Sequence, residues 1–343
     1  MPSKQNTSPF LTIGIASYNY APYLLQAFEQ IKKQEFRDFE ILYCDDGSTD
    51  NSVAVIQKLI RMNPEINIRL IEGNNQGILA NKNRILDHAA GRYLMICDAD
   101  DFMLDTCLKE LCEAAINTSA DCIIGGFQEL DKSGHILKSH IPAQNSCKWL
   151  YTWHHAQIYK TELLRQHKIR FEELPDDVAY LQKIHLHSQN TVFVSSVLYA
   201  WVRHCDSVSR DTATNPDWNP VTIWKKVSDC IAAIRESADE ENDRRALSYY
   251  LYKWFYLNLA DLNAENLDRL QNDIQNMRTQ MRYTFPEYNK FSQLFYTLKT
   301  KDTLFARTAV VVCWIFEKLH LIQVLPFFRT RQNQLRNKRE RYG

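Results

Sequence analysis

The chain has 343 residues, 45% apolar and 24% charged, with 41 Lys/Arg balanced by 41 Asp/Glu. That length suggests about two domains at roughly 150 residues each, and 33 Phe or Tyr against 19 Gly or Pro exclude a disordered or collagen-like chain. Zero net charge argues against a protein that coats nucleic acid along its length, and no run reaches the ~18–20 apolar residues of a membrane span.

The first hundred residues alternate two kinds of segment. LTIGIAS (11–17) is a strand-like run, and Ala21–Gln34 has helical spacing. FEILYC (39–44) is a second strand. Asp50–Met62 is a helix with Asp50 placed as its cap. INIRLIE (66–72) is a third strand, followed by a helix over Gly77–Ala90 that Gly91 stops. RYLMIC (92–97), a helix over Leu104–Ile116 and ADCIIGG (120–126) complete the series. This β-α-β-α order predicts a mostly parallel sheet with helices on both faces. Beyond it, GHILKSH (134–140) reads as a hairpin strand, Thr161–Gln166 and Asp176–Ser188 as helices, and TVFVSSVLYAWV (191–202) as one bent strand or two short ones. Val221–Ser237, Glu240–Asn263 and Asn266–Met281 are amphipathic helices. Polar residues and Pro216 cluster between, so the expected domains are 1–212 and a helical region, 213–343. Nine scattered Cys without a CxxC pair, and an N-terminus without a signal-like apolar stretch, predict reduced, buried thiols in a cytoplasmic protein.

Ligands of an open parallel sheet bind beyond the carboxyl ends of its strands. Strand two ends in Asp45–Asp46–Gly47–Ser48–Thr49–Asp50 and strand four in Asp98–Ala99–Asp100–Asp101. Six carboxylates at one rim repel each other unless a hard cation is shared, and Mg²⁺ or Mn²⁺ prefers carboxylates plus phosphate oxygens. A nucleoside diphosphate is the natural third party. The bland readings are an Asx-turn at Asp45/Asp46, a helix cap at Asp101 and helix N-terminal charge at Asp176/Asp177. No GxGxxG follows strand one, GxxxxGK[ST] and HExxH are absent, and the His154–His155 and His185/His187 pairs lack a zinc-type context.

TIGIASYN, ILYCDDGSTDNS, NQGILANKNRIL, YLMICDADD, WHHAQIYKTELL, ELPDDVAY and YAWVRHCDSVSR occur in this order. Together they resemble the family 2 glycosyltransferases, inverting enzymes of GT-A fold, of bacterial cell-surface glycan type. The resemblance covers about residues 9–211 and implies an α/β nucleotide-diphospho-sugar transferase domain followed by a helical region. It implies that Ala16, Tyr18 and Asn19 line the base pocket and that Asp46, with Asp45 beside it, bonds base or ribose. Asp98 and Asp100 match the DxD pair that holds Mn²⁺ or Mg²⁺, Asp100 as direct metal ligand and Asp98 nearer the ribose. Asp177 matches the catalytic base, beside Asp176 where the family has Glu. Ser207, after His204, matches a segment near the donor phosphates. Lys82 stands where the family often has Arg, as a diphosphate contact or a solvated helix residue; a lysine offers a point charge but no fork. Trp153 reads as core or wall before acceptor platform. The implied reaction moves a sugar from a UDP-sugar to a hydroxyl of a glycan or lipid-linked acceptor. The alternatives are a sugar-nucleotide pyrophosphorylase, disfavoured because residues 16–23 carry no basic side chain, and a non-catalytic glycan- or nucleotide-binding relative.

From Thr303 onward eight Lys/Arg face two Glu. Val311, Trp314, Ile315, Leu319 and Ile322 are spaced as one helical face, ended by Pro326. An apolar stripe with flanking cations predicts docking on an anionic membrane surface, peripheral to the inner face of the cytoplasmic membrane, and no nucleic-acid role.

Overall fold

A computed structural model of the protein describes residues 8–172, 176–203, 220–260, 262, 267–285, 297 and 299–326. The chain divides into two compact units, Met1–Cys205 and Asp206–Gly343; the boundary expected at 212 lies outside the described residues.

In the first unit β1 (Leu11–Ser17), β2 (Phe39–Asp45), β3 (Asn67–Glu72) and β4 (Tyr93–Ile96) pair in parallel in the order β3-β2-β1-β4. Their side chains alternate between two cores, as a period of two requires. Ile13, Ile15, Ile41 and Tyr43 face one side with α1 (Ala21–Lys33), α2 (Ser52–Met62) and α4 (Cys107–Thr118). Leu42, Cys44, Leu94 and Ile96 face the other with α3 (Ile78–His88), α5 (Thr161–Gln166) and α6 (Asp176–His187).

Parallel pairing holds across those four strands; beyond β4 the sheet is mixed. β8 (Gln157–Lys160) lies between β4 and β6 (Cys122–Leu130), antiparallel to both. β9 (Thr191–Val202) is one strand, parallel to β6, with register shifts opposite Ile124–Phe127 that bend it. β7 (Ile136–His140) pairs antiparallel with β6. The fourth helix starts at Cys107, not Leu104, because Phe102–Met103 forms the short strand β5 against β9, and the Leu104 N–H donates to the Leu198 carbonyl.

Two glycines act by close approach. The third helix ends at His88 with Ala89 as its cap, so Gly91 does not stop it. A Cβ on Gly91 would lie 2.4 Å from the Thr12 backbone nitrogen, which explains the glycine. A Cβ on Gly14 would lie 2.2 Å from Ile85 Cγ2; its absence lets α3 settle on β1. Asp50 is more than a cap. It accepts the Ser52 N–H at 2.8 Å and also the Ala21 N–H at 3.1 Å, tying the starts of α1 and α2 together.

In the second unit α7 (Pro220–Ser237), α8 (Glu241–Ala260) and α9 (Leu267–Thr284) enclose Trp224, Phe255, Met277 and Met281. α10 (Leu304–Lys318) is capped by Thr303, whose hydroxyl accepts the Ala306 N–H. It ends at Lys318, so Ile322, which is buried, is not on the helix. Its inward face carries Val310 and Glu317; Glu317 accepts from Tyr256 at 2.9 Å and lies 3.6 Å from Arg278.

Two outcomes are expected. Gly14→Ala overpacks the α3–β1 contact and lowers stability by about 1–3 kcal/mol, read as a fall in denaturant midpoint at unchanged slope. Glu129, on β6, is bonded by His140 and Arg203. Burial alone would raise its pKa, but the His140 hydrogen bond and the Arg203 charge hold it down at about 2. A carboxylate depressed in the folded state stabilises above its unfolded pKa and loses that contribution as pH falls through the folded one. The wild type therefore loses melting temperature between about pH 4.5 and about pH 2 more steeply than Glu129→Gln.

Candidate active site

The register places Ser17, Asp45 and Glu72 side by side at the carboxyl ends of β1–β3, and the Cys97 N–H continues β4 onto the Gly14 carbonyl, so the chain leaves toward Asp98 at the same rim. The acidic turn after β2 is heavily self-bonded. Asp45 accepts the Ser48 N–H at 2.8 Å and hydroxyl at 2.6 Å, the Asx-turn geometry. Asp46 is buried and accepts the Gln76 and Gly77 N–H groups at 3.1 and 2.8 Å, with Arg84 3.6 Å away. It anchors the loop that starts α3. Asn19 takes a left-handed φ of 56° and accepts from the Thr49 N–H at 2.8 Å, which locks the β1 and β2 loops together. Ala16 is half-buried beside it and Tyr18 is exposed.

Four residues from separate segments meet next to that rim. His154, buried just before β8, lies with Nδ1 2.8 Å from Asp177 Oδ2 and Nε2 3.1 Å from Asp98 Oδ2. Lys82 Nζ lies 3.2 Å from Asp177 Oδ1 and 5.1 Å above the Phe171 ring. Lys82 is therefore buried on the sheet side of α3, not solvated, and its ammonium faces a carboxylate. Burial disfavours charge on every member, yet the charges win. Asp177 and Asp98 lift His154 to about 10. In return His154 draws both carboxyls below the ordinary range, with Lys82 adding to the pull. His154 as imidazolium donates from both ring nitrogens, joining the residue after β4 to the start of α6.

The neighbouring acid behaves oppositely. Asp101 is buried, and that burial, followed by the charges of Asp98 and Asp100, raises its pKa well above the ordinary value. It accepts from the Tyr199 hydroxyl at 3.1 Å and the Val202 N–H at 3.0 Å, pinning the acidic turn to β9. Burial and then the charge of His154 depress His155 to about 3, and its neutral ring stacks on Tyr199 and Trp201. Trp153 is a wall residue: 38% exposed, its ring leans on Phe127 and His140. Burial and then the charges of Asp100 and Asp98 push the Tyr20 hydroxyl up.

Of the expected residues, Lys82, Asp98 and Asp177 are joined directly through one another and His154, and Asp100 is half-buried two residues from Asp98. Ala16, Tyr18, Asn19, Asp45 and Asp46 form the adjacent rim. Asp176 opens α6, but its side chain lies outside the described residues, as do His204 and Ser207. His154 was not expected. Its signal was a His–His pair directly before a buried strand, a place where a polar pair needs partners.

Asp98, His154 and His155 present ligand atoms within 4.8 Å of one another, a set that could hold a cation only with His154 deprotonated. The family model Glycosyl transferase family 2 matches residues 12–181, which contain this whole cluster. Glycosyltransferase GlyG of Streptococcus pneumoniae is 26% identical over 249 residues, 66% of this chain and 82% of that protein. The GalNAc(5)-diNAcBac-PP-undecaprenol beta-1,3-glucosyltransferase of Campylobacter jejuni is 26% identical over 262 residues, 74% of this chain and 84% of that one. In fold, the S. aureus TarS fragment 1–349, solved in complex with UDP-GlcNAc, superposes with a TM-score of 0.66 at 17% identity, covering 94% of this chain and 92% of the fragment. The first unit is thus a GT-A fold, and the chain belongs to the family 2 glycosyltransferases.

Proposed function

We propose that the chain transfers a sugar from a UDP-sugar to a hydroxyl of a glycan or lipid-linked acceptor, with inversion at the anomeric carbon and Asp177 as general base. The observation that carries this reading is the junction of Asp98, His154, Asp177 and Lys82, which sets the acid after β4 within one histidine of the acid on α6. An inverting transfer needs one carboxylate beside the acceptor and a charge-stabilising pole beside the leaving diphosphate, and no enzyme nucleophile. The UDP choice is supported by the UDP-GlcNAc complex of TarS. The acceptor class is supported by the lipid-linked glycan in the name of the Campylobacter relative. Buried thiols such as Cys44, Cys97, Cys107, Cys112 and Cys122 suit the reducing cytoplasm.

The donor set fits a divalent cation. Asp98 and Asp100 would hold it, and a carboxylate pair suits Mn²⁺ or Mg²⁺. When bound, the metal supplies positive charge toward the departing nucleoside diphosphate. The chain's own residues do the rest. His154 and Lys82 keep Asp177 ionised and fix its oxygens, so it can only accept a hydrogen bond from the acceptor hydroxyl. The same two cations make it a weak base. Proton transfer therefore runs late, once the acceptor oxygen has begun to bond the anomeric carbon and has become strongly acidic. His154 is a positioning residue in this scheme, and the loop held by Asp46 shapes the nucleotide side.

Thermal unfolding with UDP, with and without Mn²⁺, is the first test. Saturation at 100 times Kd stabilises by about 2.7 kcal/mol. The expected result is a Mn²⁺-dependent rise in melting temperature that Asp100→Ala abolishes; no rise with any nucleotide refutes the donor site. Asp177→Asn keeps that rise while kcat falls ~10²–10⁴-fold. Retained turnover in Asp177→Asn beside a dead Asp176→Asn moves the base to Asp176. His154→Gln, which keeps a two-proton donor, retains more kcat than His154→Phe at similar donor KM; equal loss in both variants removes the positioning role.

A further inference from the structure

The outer face of α10 is apolar. Leu304, Phe305, Val312, Ile315 and Leu319 fall within about 100° of arc at 3.6 residues per turn, and they are 73, 84, 40, 41 and 61% exposed. Isolated exposed side chains are ordinary; four aligned on one helix, with Leu319 as its cap, form a surface that water covers at a cost.

Charge decides what covers it. The segment's acids are turned away. Asp302 accepts from Tyr249 and Lys253, each at 2.8 Å, with its side chain 9% exposed. Glu317 is held by Tyr256 on the opposite face with 6% exposed. The cations stay in water: Lys299 and Lys301 before the helix and Lys318 at its end are exposed. Six more, Arg329, Arg331, Arg336, Lys338, Arg339 and Arg341, follow within the next 23 positions of sequence, opposed by Glu340 alone. An apolar face with like-signed cations at both ends matches an anionic phospholipid interface, where the rings and branched chains enter the acyl boundary and the cations meet headgroups. It does not match a second copy of itself, because face-to-face pairing would set cation against cation. The helix has 15 residues and, among the described residues, none is long and apolar enough to cross a membrane.

We propose that α10 is an interfacial helix that docks the protein on an anionic bilayer surface, lying parallel to it with Leu304, Phe305, Val312, Ile315 and Leu319 buried in lipid. This inference stands apart from the sugar-transfer site and survives or fails without it.

The test is co-sedimentation of the full chain with phosphatidylcholine vesicles, with and without phosphatidylglycerol. The expected result is binding only to the phosphatidylglycerol vesicles, weakening as salt is raised, and reduced at least about tenfold in the exposed-face variant Phe305→Ser/Leu319→Ser. Both residues are exposed, so the variant's melting temperature should match the wild type, which separates lost docking from lost folding. Charge is read independently in Lys318→Gln/Arg329→Gln/Arg331→Gln, which should also weaken binding. No binding to anionic vesicles overturns the proposal. So does binding that the Ser variant leaves intact, or a dimer in solution that the same two substitutions dissolve.

Discussion

The first unit turns on one buried imidazolium. A sheet rim that gathers Asp98, Asp100 and Asp101 beside Asp177 accumulates negative charge faster than solvent can screen it, because much of it is removed from water. His154 answers on the inside, bonding Asp98 and Asp177 at once, and Lys82 answers from α3. Breaking such a group from one side leaves a charge buried without its partner, which costs far more than the intact cluster contributes. The fold is arranged to deliver these groups. Gly14 lets α3 descend so that Lys82 reaches inward, and β8 enters antiparallel so that the residue before it meets the residue after β4.

Neighbouring groups of the same chemical type are driven to opposite states. Asp98 is held ionised by a cation, while Asp101, three residues on, is bonded by the neutral donors Tyr199 and Val202 and is pushed toward its neutral form by burial and by Asp98 and Asp100. His154 carries charge because two carboxylates flank it; His155 is neutral because His154 already does, and it stacks as a flat wall. One of each pair joins the charged junction, and the other holds the frame.

Much of this was legible in the chain. Apolar runs alternating with amphipathic segments located the first four strands and their helices, and the acidic clusters ending strands two and four fell on the carboxyl rim because parallel strands put all such ends together. Residues whose role depends on distant partners were not legible. Lys82 meets Asp177 across 95 positions and His154 meets Asp98 across 56, and no local pattern encodes either pairing. Gly91 looked like a helix stop because glycine does end helices; its actual constraint is the Thr12 backbone, 79 positions away. The apolar spacing of α10 was visible, but the expected stripe of Val311, Trp314, Ile315, Leu319 and Ile322 is not the exposed one: Ile322 is buried, Val311 and Trp314 are half-buried, and the outer face runs through Leu304, Phe305, Val312, Ile315 and Leu319 because Glu317 turns inward to Tyr256 and Arg278.

The attachment of Asp101 to β9 has a consequence for how the protein comes into being. Its acceptors are filled by Tyr199 and Val202, about a hundred residues downstream, and among the described residues β5 pairs with β9 alone. A nascent chain can therefore assemble β1–β4 and their helices early, but the acidic turn has no anchor until the ribosome has released residue 202. Until then the carboxylates sit on a loose loop. The most charged part of the first unit is also its last to be secured, and the nascent intermediate exposes the β6 edge that β9 will cover, an edge free to pair with another chain.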